Sequence, residues 1–345
     1  MSIQSVLVTG GFGYVGASLT PLLLQKGFRV RVLDLNLYGD YGLQALEKTM
    51  PKEQKSRFEF IRGDIRDPNV VATAMQGVDG VIHLAAISND PTGEVDEVLT
   101  RQTNFDAVGV LLWTAKKQGL QRFINASSSS VFGIKKESNV SEALEPEPLT
   151  FYSKYKMLAE WPVLTASSPE FCTVNVRPAT ICGFSPRQRF DLTVNKLTAD
   201  AVKKRVITVH GGEQRRPNVG MTDVINLYCH LLEVDQKLIN GRTFNFGFEN
   251  LKVIEIAKVI QEELKDLNVE IKVTPTLDNR DYHISSAKIV EVLGYKPVSS
   301  IRQEVRNLRK ALDDNYFGDI DADQFYNMKM MNLGRSPLPY NLLSR

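Results

Sequence analysis

Among the 345 residues, the side chains whose types and spacing can do chemistry together are Tyr152 and Lys156, the one Tyr-to-Lys pair separated by four in the run FYSKYKMLAE at 151–160. On a helix that spacing stacks both side chains on one face, about a turn apart. A phenol and an ammonium group would then meet the same bound ligand. A free tyrosine, with a pKa of ~10, is almost wholly protonated at neutral pH. A neighbouring cation lowers such a pKa by about 1–3 units and so prepares the phenol for acid–base work. The same spacing also occurs by chance on ordinary exposed helices, so its meaning depends on the elements around it.

Those elements alternate. Val6-Leu7-Val8 is a short β-branched run that feeds Thr9-Gly10-Gly11-Phe12-Gly13-Tyr14-Val15-Gly16 and then a helical pattern over 17–26. Strand, glycine turn and helix in that order let the backbone approach a diphosphate at a helix N-terminus, where free N–H groups and a partial positive charge await an anion. The strand 30–33 ends in Asp34, about twenty residues on, where a carboxylate accepts hydrogen bonds from both ribose hydroxyls and repels a 2′-phosphate; the competing reading is a solvated strand-end aspartate. Further strand-to-helix units start at 58–61, 80–84 and 122–124, which predicts an α/β fold with a doubly wound parallel sheet and ligands at the strands' carboxyl ends. Asp64, Leu84-Ala85-Ala86 and the serine run 127–130 all fall at such ends. His83 sits inside a strand and reads as a satisfied core histidine.

Composition narrows the classes. With 43% hydrophobic and 24% charged residues the chain is that of a soluble globular protein, and a formal net charge of +2 gives no broad field for nucleic acid or membrane. Three cysteines, Cys172, Cys182 and Cys229, have no metal-like spacing and read as buried thiols of a reducing compartment. No metal site is expected. No apolar run approaches the ~20 residues of a membrane span, and no signal-like leader is evident, so the expected location is cytoplasmic.

Past Arg177-Pro178 the rhythm changes. An Arg/Ser/Pro-rich loop at 184–189 precedes a helix near 191–203, a strand at 206–209, a helix over 222–234 and a strand at 242–246. Helical patterns recur at 254–264, 286–293 and 300–313. The expected division is 1–180 as the dinucleotide-binding domain, with 222–246 returning to it, and 181–221 plus 247–315 as a smaller substrate lobe. The tail 316–345 has no clear period.

In combination these motifs resemble the extended short-chain dehydrogenase/reductase superfamily, specifically its NAD-dependent nucleotide-sugar epimerase/dehydratase enzymes. The resemblance runs from residue 6 to about 315 and rests on Gly10-x-x-Gly13-x-x-Gly16, Asp34, Gly63-Asp64-Ile65, His83-Leu84-Ala85-Ala86, Asn104, Ser127 to Gly133, Tyr152-x-x-x-Lys156, Arg177-Pro178, Arg216 seven residues before Asp223, and Leu293-Gly294-Tyr295-Lys296-Pro297. It implies a Rossmann sheet with a smaller C-terminal α/β substrate lobe, and NAD as cofactor. Gly10, Phe12, Gly13, Tyr14 and Gly16 would line the pyrophosphate, Asp34 the adenosine ribose, and Asp64 and Ile65 the adenine. Leu84, Ala85, Ala86, Asn104 and Pro178 would line the middle of the cofactor, with Lys156 on the nicotinamide ribose. Aligned on Val131-Phe132-Gly133, the catalytic hydroxyl falls on Ser128, which would hold the sugar oxygen while Tyr152 takes its proton and Lys156 tunes the phenol. Thr180, Arg216, Arg187, Arg189 and Arg280 become candidates for the substrate, a nucleotide-diphosphate sugar. A homodimer through the helices around 95–118 and 151–166 is the expected assembly.

The resemblance leaves the outcome of the keto sugar open. Returning hydride to the opposite face makes a 4-epimerase, the leading expectation. Releasing the ketone makes a dehydrogenase or keto-reductase of a hexose or heptose. A 4,6-dehydratase would carry an Asp-Glu pair after the catalytic hydroxyl, where this chain has Ser129-Ser130. A non-catalytic NAD-binding regulator is the remaining alternative. Phe132 in place of the usual Tyr, Thr180 where many members carry Asn, and Pro217-Asn218 after Arg216 are departures that bear on the substrate contacts.

Overall fold

The computed structural model describes residues 3–137, 139–276, 281 and 283–332. Its strands are β1 (Ser5–Thr9), β2 (Arg29–Asp34), β3 (Phe58–Arg62), β4 (Gly80–His83), β5 (Arg122–Ala126), β6 (Cys172–Pro178), β7 (Thr180–Cys182), β8 (Val206–His210), β9 (Arg215–Gly220), β10 (Arg242–Phe246), β11 (Glu249–Lys252) and β12 (Glu270–Thr274). Seven of them form one sheet in the order β10-β6-β5-β4-β1-β2-β3, every pair parallel. A parallel sheet is covered on both faces, and its inner strands β1, β4 and β6 are buried along their whole length. In β1, Val6 and Val8 face one core cluster with Val30, Val32 and Ile124, while Leu7 faces the other with Leu33, Val81 and Phe123. The order reverses between β1 and β4. Such a switch point parts the loops that follow the two strands and opens a crevice at their carboxyl ends.

Five helices matter for what lies in that crevice: α1 (Gly16–Gln25), α2 (Ala107–Lys117), α3 (Phe151–Thr165), α4 (Met221–Glu233) and α5 (Asn327–Asn332). No side chain caps the N-terminus of α1, whose partial positive charge favours an anion there. Gly16 is required there by close approach, because a Cβ would stand 2.3 Å from the Gly10 carbonyl oxygen. The segment expected as helix around 95–118 consists of Glu97–Arg101, a π-helical turn Gln102–Asp106 and then α2. The widened turn carries the buried Asn104, and π-turns of this kind are commonly found at working sites.

The stretches on either side of α4 and β10 build two small sheets, β11-β9-β7 and β12-β8, over a separate cluster that includes Ile207, Val209, Ile256 and Val305. β9 was not expected as a strand. Its sequence, RRPNVG, is polar and carries Pro217, and it is extended because β11 pairs with it antiparallel and β7 parallel. Asp223 accepts hydrogen bonds from Val298 N–H (2.7 Å), Ser299 N–H (3.2 Å) and the Tyr295 hydroxyl, which ties 295–299 to the start of α4. All three cysteines are buried and unbridged, and no helix among the described residues is long and apolar enough to cross a membrane.

Candidate active site

The crevice beyond β1, β2, β4, β5 and β6 is one continuous cleft. On its β1–β2 side it is lined by Gly10, Phe12, Gly13, Tyr14 and Gly16, by Asp34 and the residues after it, and by Asp64 and Ile65. On its β4–β6 side it is lined by Leu84, Ala85 and Ala86, by 126–130, by Tyr152 and Lys156 of α3, and by Pro178 and Thr180. The sheet thus brings together residues far apart in the chain, including Ser128, Tyr152 and Lys156.

Each of the reactive groups is held from behind. Thr150 caps α3, its hydroxyl accepting from Ser153 N–H while the Ser153 hydroxyl accepts from Thr150 N–H. Gly93 lets the first turn of α3 come close, since a Cβ there would meet the Tyr152 Cβ at 2.7 Å. Lys156 is 4% exposed and its Nζ donates to the Ala126 carbonyl at the end of β5 (2.8 Å). Burial pulls its pKa down to about 8, and the carboxylate of Glu160, one turn further along α3, acts in the opposite direction. Ser128 accepts from Ser130 N–H and lies 2.9 Å, hydroxyl to hydroxyl, from Ser130. Ser129 is buried, and the Ser127 hydroxyl donates to Glu160 Oε1 (2.5 Å). His83 is a core histidine as expected, with Nδ1 2.7 Å from the Thr9 hydroxyl. Burial and the Lys156 charge push its pKa down to about 3, so the ring is neutral.

Sequence reasoning passed over Glu160, although the i, i+4 step from Lys156 marks it as the next residue on the same face. It is 5% exposed and takes a two-point ion pair from Arg177 of β6, Nε to Oε1 at 2.8 Å and Nη2 to Oε2 at 2.6 Å. The Arg177 guanidinium in turn lies over the Phe132 ring (4.8 Å), which is fully buried behind the cleft. Replacement of Tyr by Phe at 132 therefore alters this packing and removes nothing from the cleft wall. Tyr228 of α4 also lines the cleft and was not anticipated, because its helix is distant in sequence and apolar around it.

Not all of the expected contact residues reach the cleft. Asn104 does not line the cleft. Its side chain is spent on Ile87, accepting from the N–H (2.8 Å) and donating to the carbonyl (2.9 Å), so it holds the loop after β4 from behind. Arg216, on β9, is not among the lining residues either, and Arg280 lies outside the described residues. Arg189 is buried in the cleft wall but its charge is already matched by both oxygens of Asp191 (2.9 and 2.8 Å). Of the arginines that line the cleft, Arg66 is paired with Asp64 and Arg189 with Asp191, and Arg187 alone makes no ion pair among the described residues.

At the β2 end Asp34 accepts from the N–H groups of Phe12 (2.9 Å) and Asn36 (2.8 Å), which fix its carboxylate against the glycine turn. Burial raises its pKa while those two N–H groups lower it. A turn in which Gly10 and Gly16 admit no Cβ, an uncapped helix N-terminus and an anchored strand-end acid together fit a dinucleotide laid across the switch point.

Comparison with known proteins agrees with this geometry. A model of the NAD-dependent epimerase/dehydratase family matches residues 6–247. The chain is 30% identical over 335 residues to UDP-glucuronic acid decarboxylase 4 of Arabidopsis thaliana, covering 93% of this chain and 71% of that one. It is 28% identical to an uncharacterized UDP-glucose epimerase of Bacillus subtilis, covering 92% of this chain and 100% of that one. Among solved structures, the UDP-glucuronic acid 4-epimerase of Bacillus cereus in complex with UDP-glucuronic acid and NAD superposes with a TM-score of 0.79 at 25% identity, over 91% of this chain and 100% of that one.

Proposed function

The chain belongs to the NAD-dependent epimerase/dehydratase family, and from that premise we propose that it is a nucleotide-sugar 4-epimerase. Bound NAD supplies a reversible hydride acceptor. With that acceptor bound, the Tyr152 phenolate would take the proton of the sugar's C4 hydroxyl as the C4–H bond gives up its hydride, leaving a C4 ketone and a neutral Tyr152. Lys156, buried and positively charged below about pH 8, stabilises the phenolate that accepts the proton, and Ser128 holds the oxygen on which charge develops. Return of hydride and proton to the other face inverts C4 with no net redox change.

The observation that carries the epimerase reading is the loop after β5. Ser129 is buried, Ser130 faces the cleft, and no carboxyl group stands beside Ser128 in that loop. Elimination of water from neighbouring carbons needs an acid and a base there. Of the acids that line the cleft, Asp34 ends β2, Asp64 lies just beyond β3, and Asp90 accepts from the Thr150 hydroxyl at the cap of α3 (2.6 Å). Decarboxylation is the second reading, favoured by the plant relative, because a C4 ketone next to a C5 carboxylate is a β-keto acid that can lose CO2 without a further base.

Incubation of the enzyme and NAD with UDP-glucose and, separately, UDP-glucuronic acid, followed by NMR of the sugar, tests this. The expected product is the C4 epimer with no rise in nicotinamide absorbance. Net NADH formation would sink the epimerase reading in favour of a dehydrogenase, and loss of CO2 in favour of a decarboxylase.

The assembly we propose is a homodimer through the helical path 97–117 and α3. Trp113 (62% exposed) and Trp161 (72%) stand out from these two elements together with Val98, large apolar side chains that a second copy would remove from water. Trp161→Glu is expected to give a monomer by sedimentation at concentrations where the unaltered protein is dimeric; an unaltered dimer would place the contact elsewhere.

A further inference from the structure

Arg187 is 2% exposed, lines the cleft, and has no carboxylate within ion-pairing distance among the described residues. A buried cation left without a counter-charge is costly, so its surroundings say what it is for. Its guanidinium lies over the Tyr38 ring at 4.0 Å, and its Nη2 donates to Asn327 Oδ1 at 2.6 Å. Both partners are neutral. They fix the plane of the fork and leave its charge unspent, and its Nε has no hydrogen-bond partner. Two more buried polar atoms nearby, Asn36 Oδ1 and the Tyr38 hydroxyl, are also unpaired, and both residues line the cleft just beyond Asp34. Orphaned donors and acceptors around one unmatched cation are what a site looks like when a polar, anionic ligand completes it.

The location selects the ligand. Arg187 feels Asp34, and its platform Tyr38 follows β2, so the cation belongs to the side of the cleft that holds the glycine turn. Arg189, by contrast, faces Ser88 and the Tyr152 side, and Asp191 already neutralises it. Arg187, in the loop after β7, is held there by Asn327 of the C-terminal segment. Asn327 opens α5, is 1% exposed, lines the cleft, and also donates to the Ser88 carbonyl (3.3 Å). The segment is clamped by Met331 against Ile87, Leu99 and Leu37, and by Phe325 against Phe190.

We propose that Asn327, reaching across from the C-terminal segment, is a positioning residue that aims Arg187 at the diphosphate of the dinucleotide cofactor, so that residues 325–331 belong to the cofactor site and Arg187 does not serve the sugar nucleotide. The proposal rests on the NAD-dependent reading above.

A double-mutant cycle on the full-length, nucleotide-free protein tests it, with NAD and UDP-glucuronic acid titrated separately by calorimetry. Asn327→Ala and Arg187→Met are each expected to weaken NAD about tenfold or more, the worth of one charge-assisted contact. The double variant should be no weaker than the worse single, and UDP-glucuronic acid affinity should not change. A merely structural role for Asn327 would not produce that non-additivity in cofactor affinity, whatever the melting temperature does. The proposal is overturned if Asn327→Ala binds NAD normally, if the two losses multiply, or if the loss falls on UDP-glucuronic acid. Failure of the unaltered protein to bind NAD would instead overturn the reading on which the proposal rests.

Discussion

Tyr152→Phe is expected to lower kcat by about 10²–10⁴-fold, the contribution of a positioned general acid–base group, with NAD affinity unchanged. The substitution removes one oxygen and leaves the ring and its seat against Gly93 in place, so the loss would report the proton transfer alone. Lys156→Met should fall in the same range. The double variant should lose little more than either single, because the two groups act as a unit and such losses do not add. Steady-state turnover of the sugar nucleotide identified by NMR provides the measurement, with NAD titration as the control. If Tyr152→Phe kept its rate within a factor of a few, the acid–base assignment would be wrong and a non-catalytic role for the fold would gain ground.

The second large effect lies one turn further along α3. Glu160→Gln leaves the Arg177 guanidinium buried with no carboxylate opposite it, a change that costs about 3–5 kcal/mol in folding stability when one partner of a buried pair is removed. Both side chains are only 7% exposed, so solvent offers little relief. Replacing both at once, Glu160→Leu with Arg177→Met, should cost distinctly less, since no charge is then stranded. Urea unfolding of the three proteins makes the comparison, and a loss under ~1 kcal/mol for Glu160→Gln, typical of an exposed pair, would contradict it. The same variant should shift activity with pH. Lys156 must be charged to stabilise the phenolate, so kcat/KM falls as pH rises through its pKa of about 8. Glu160 holds that value up against burial, and without it the Lys156 proton is lost at lower pH, so the alkaline fall should begin earlier. His83, the other titratable group beside Lys156, is neutral at these pH values and adds no charge change.

The parts of this molecule that could be read from the chain are those whose causes are local. β1, β2, β4 and β5 announce themselves as short β-branched runs, each closed by glycine, aspartate, alanine or serine. α3 announces itself by Thr150 and the spacing of Tyr152 and Lys156. The cofactor turn is legible because only glycine fits where Gly16 meets Gly10. What could not be read depends on contacts between distant residues. β9 is paired by β7 and β11 on its two sides, and RRPNVG, with a single β-branched residue and no alternation, gives little sign of it. Arg187 and Arg189 look alike in sequence, two residues apart, yet one is neutralised by Asp191 and the other is held by Asn327, 140 residues away. Asn104 was placed at the cleft by its motif, whereas its hydrogen bonds show that it supports the cleft through Ile87.

The order of strands has a bearing on how the chain folds during synthesis. β6 lies between β5 and β10, and β10 is made only after β7, β8, β9 and α4. Until 242–246 leave the ribosome, one side of β6 is an open parallel edge on a wholly buried strand, the kind of surface that pairs with the wrong neighbour when exposed. Domains generally fold from the N-terminus as they emerge, but this sheet cannot be closed that way. Its outer strand pair must wait for intervening sequence whose strands belong to other sheets, and this late, long-range pairing is the slow and aggregation-exposed stage of the folding reaction.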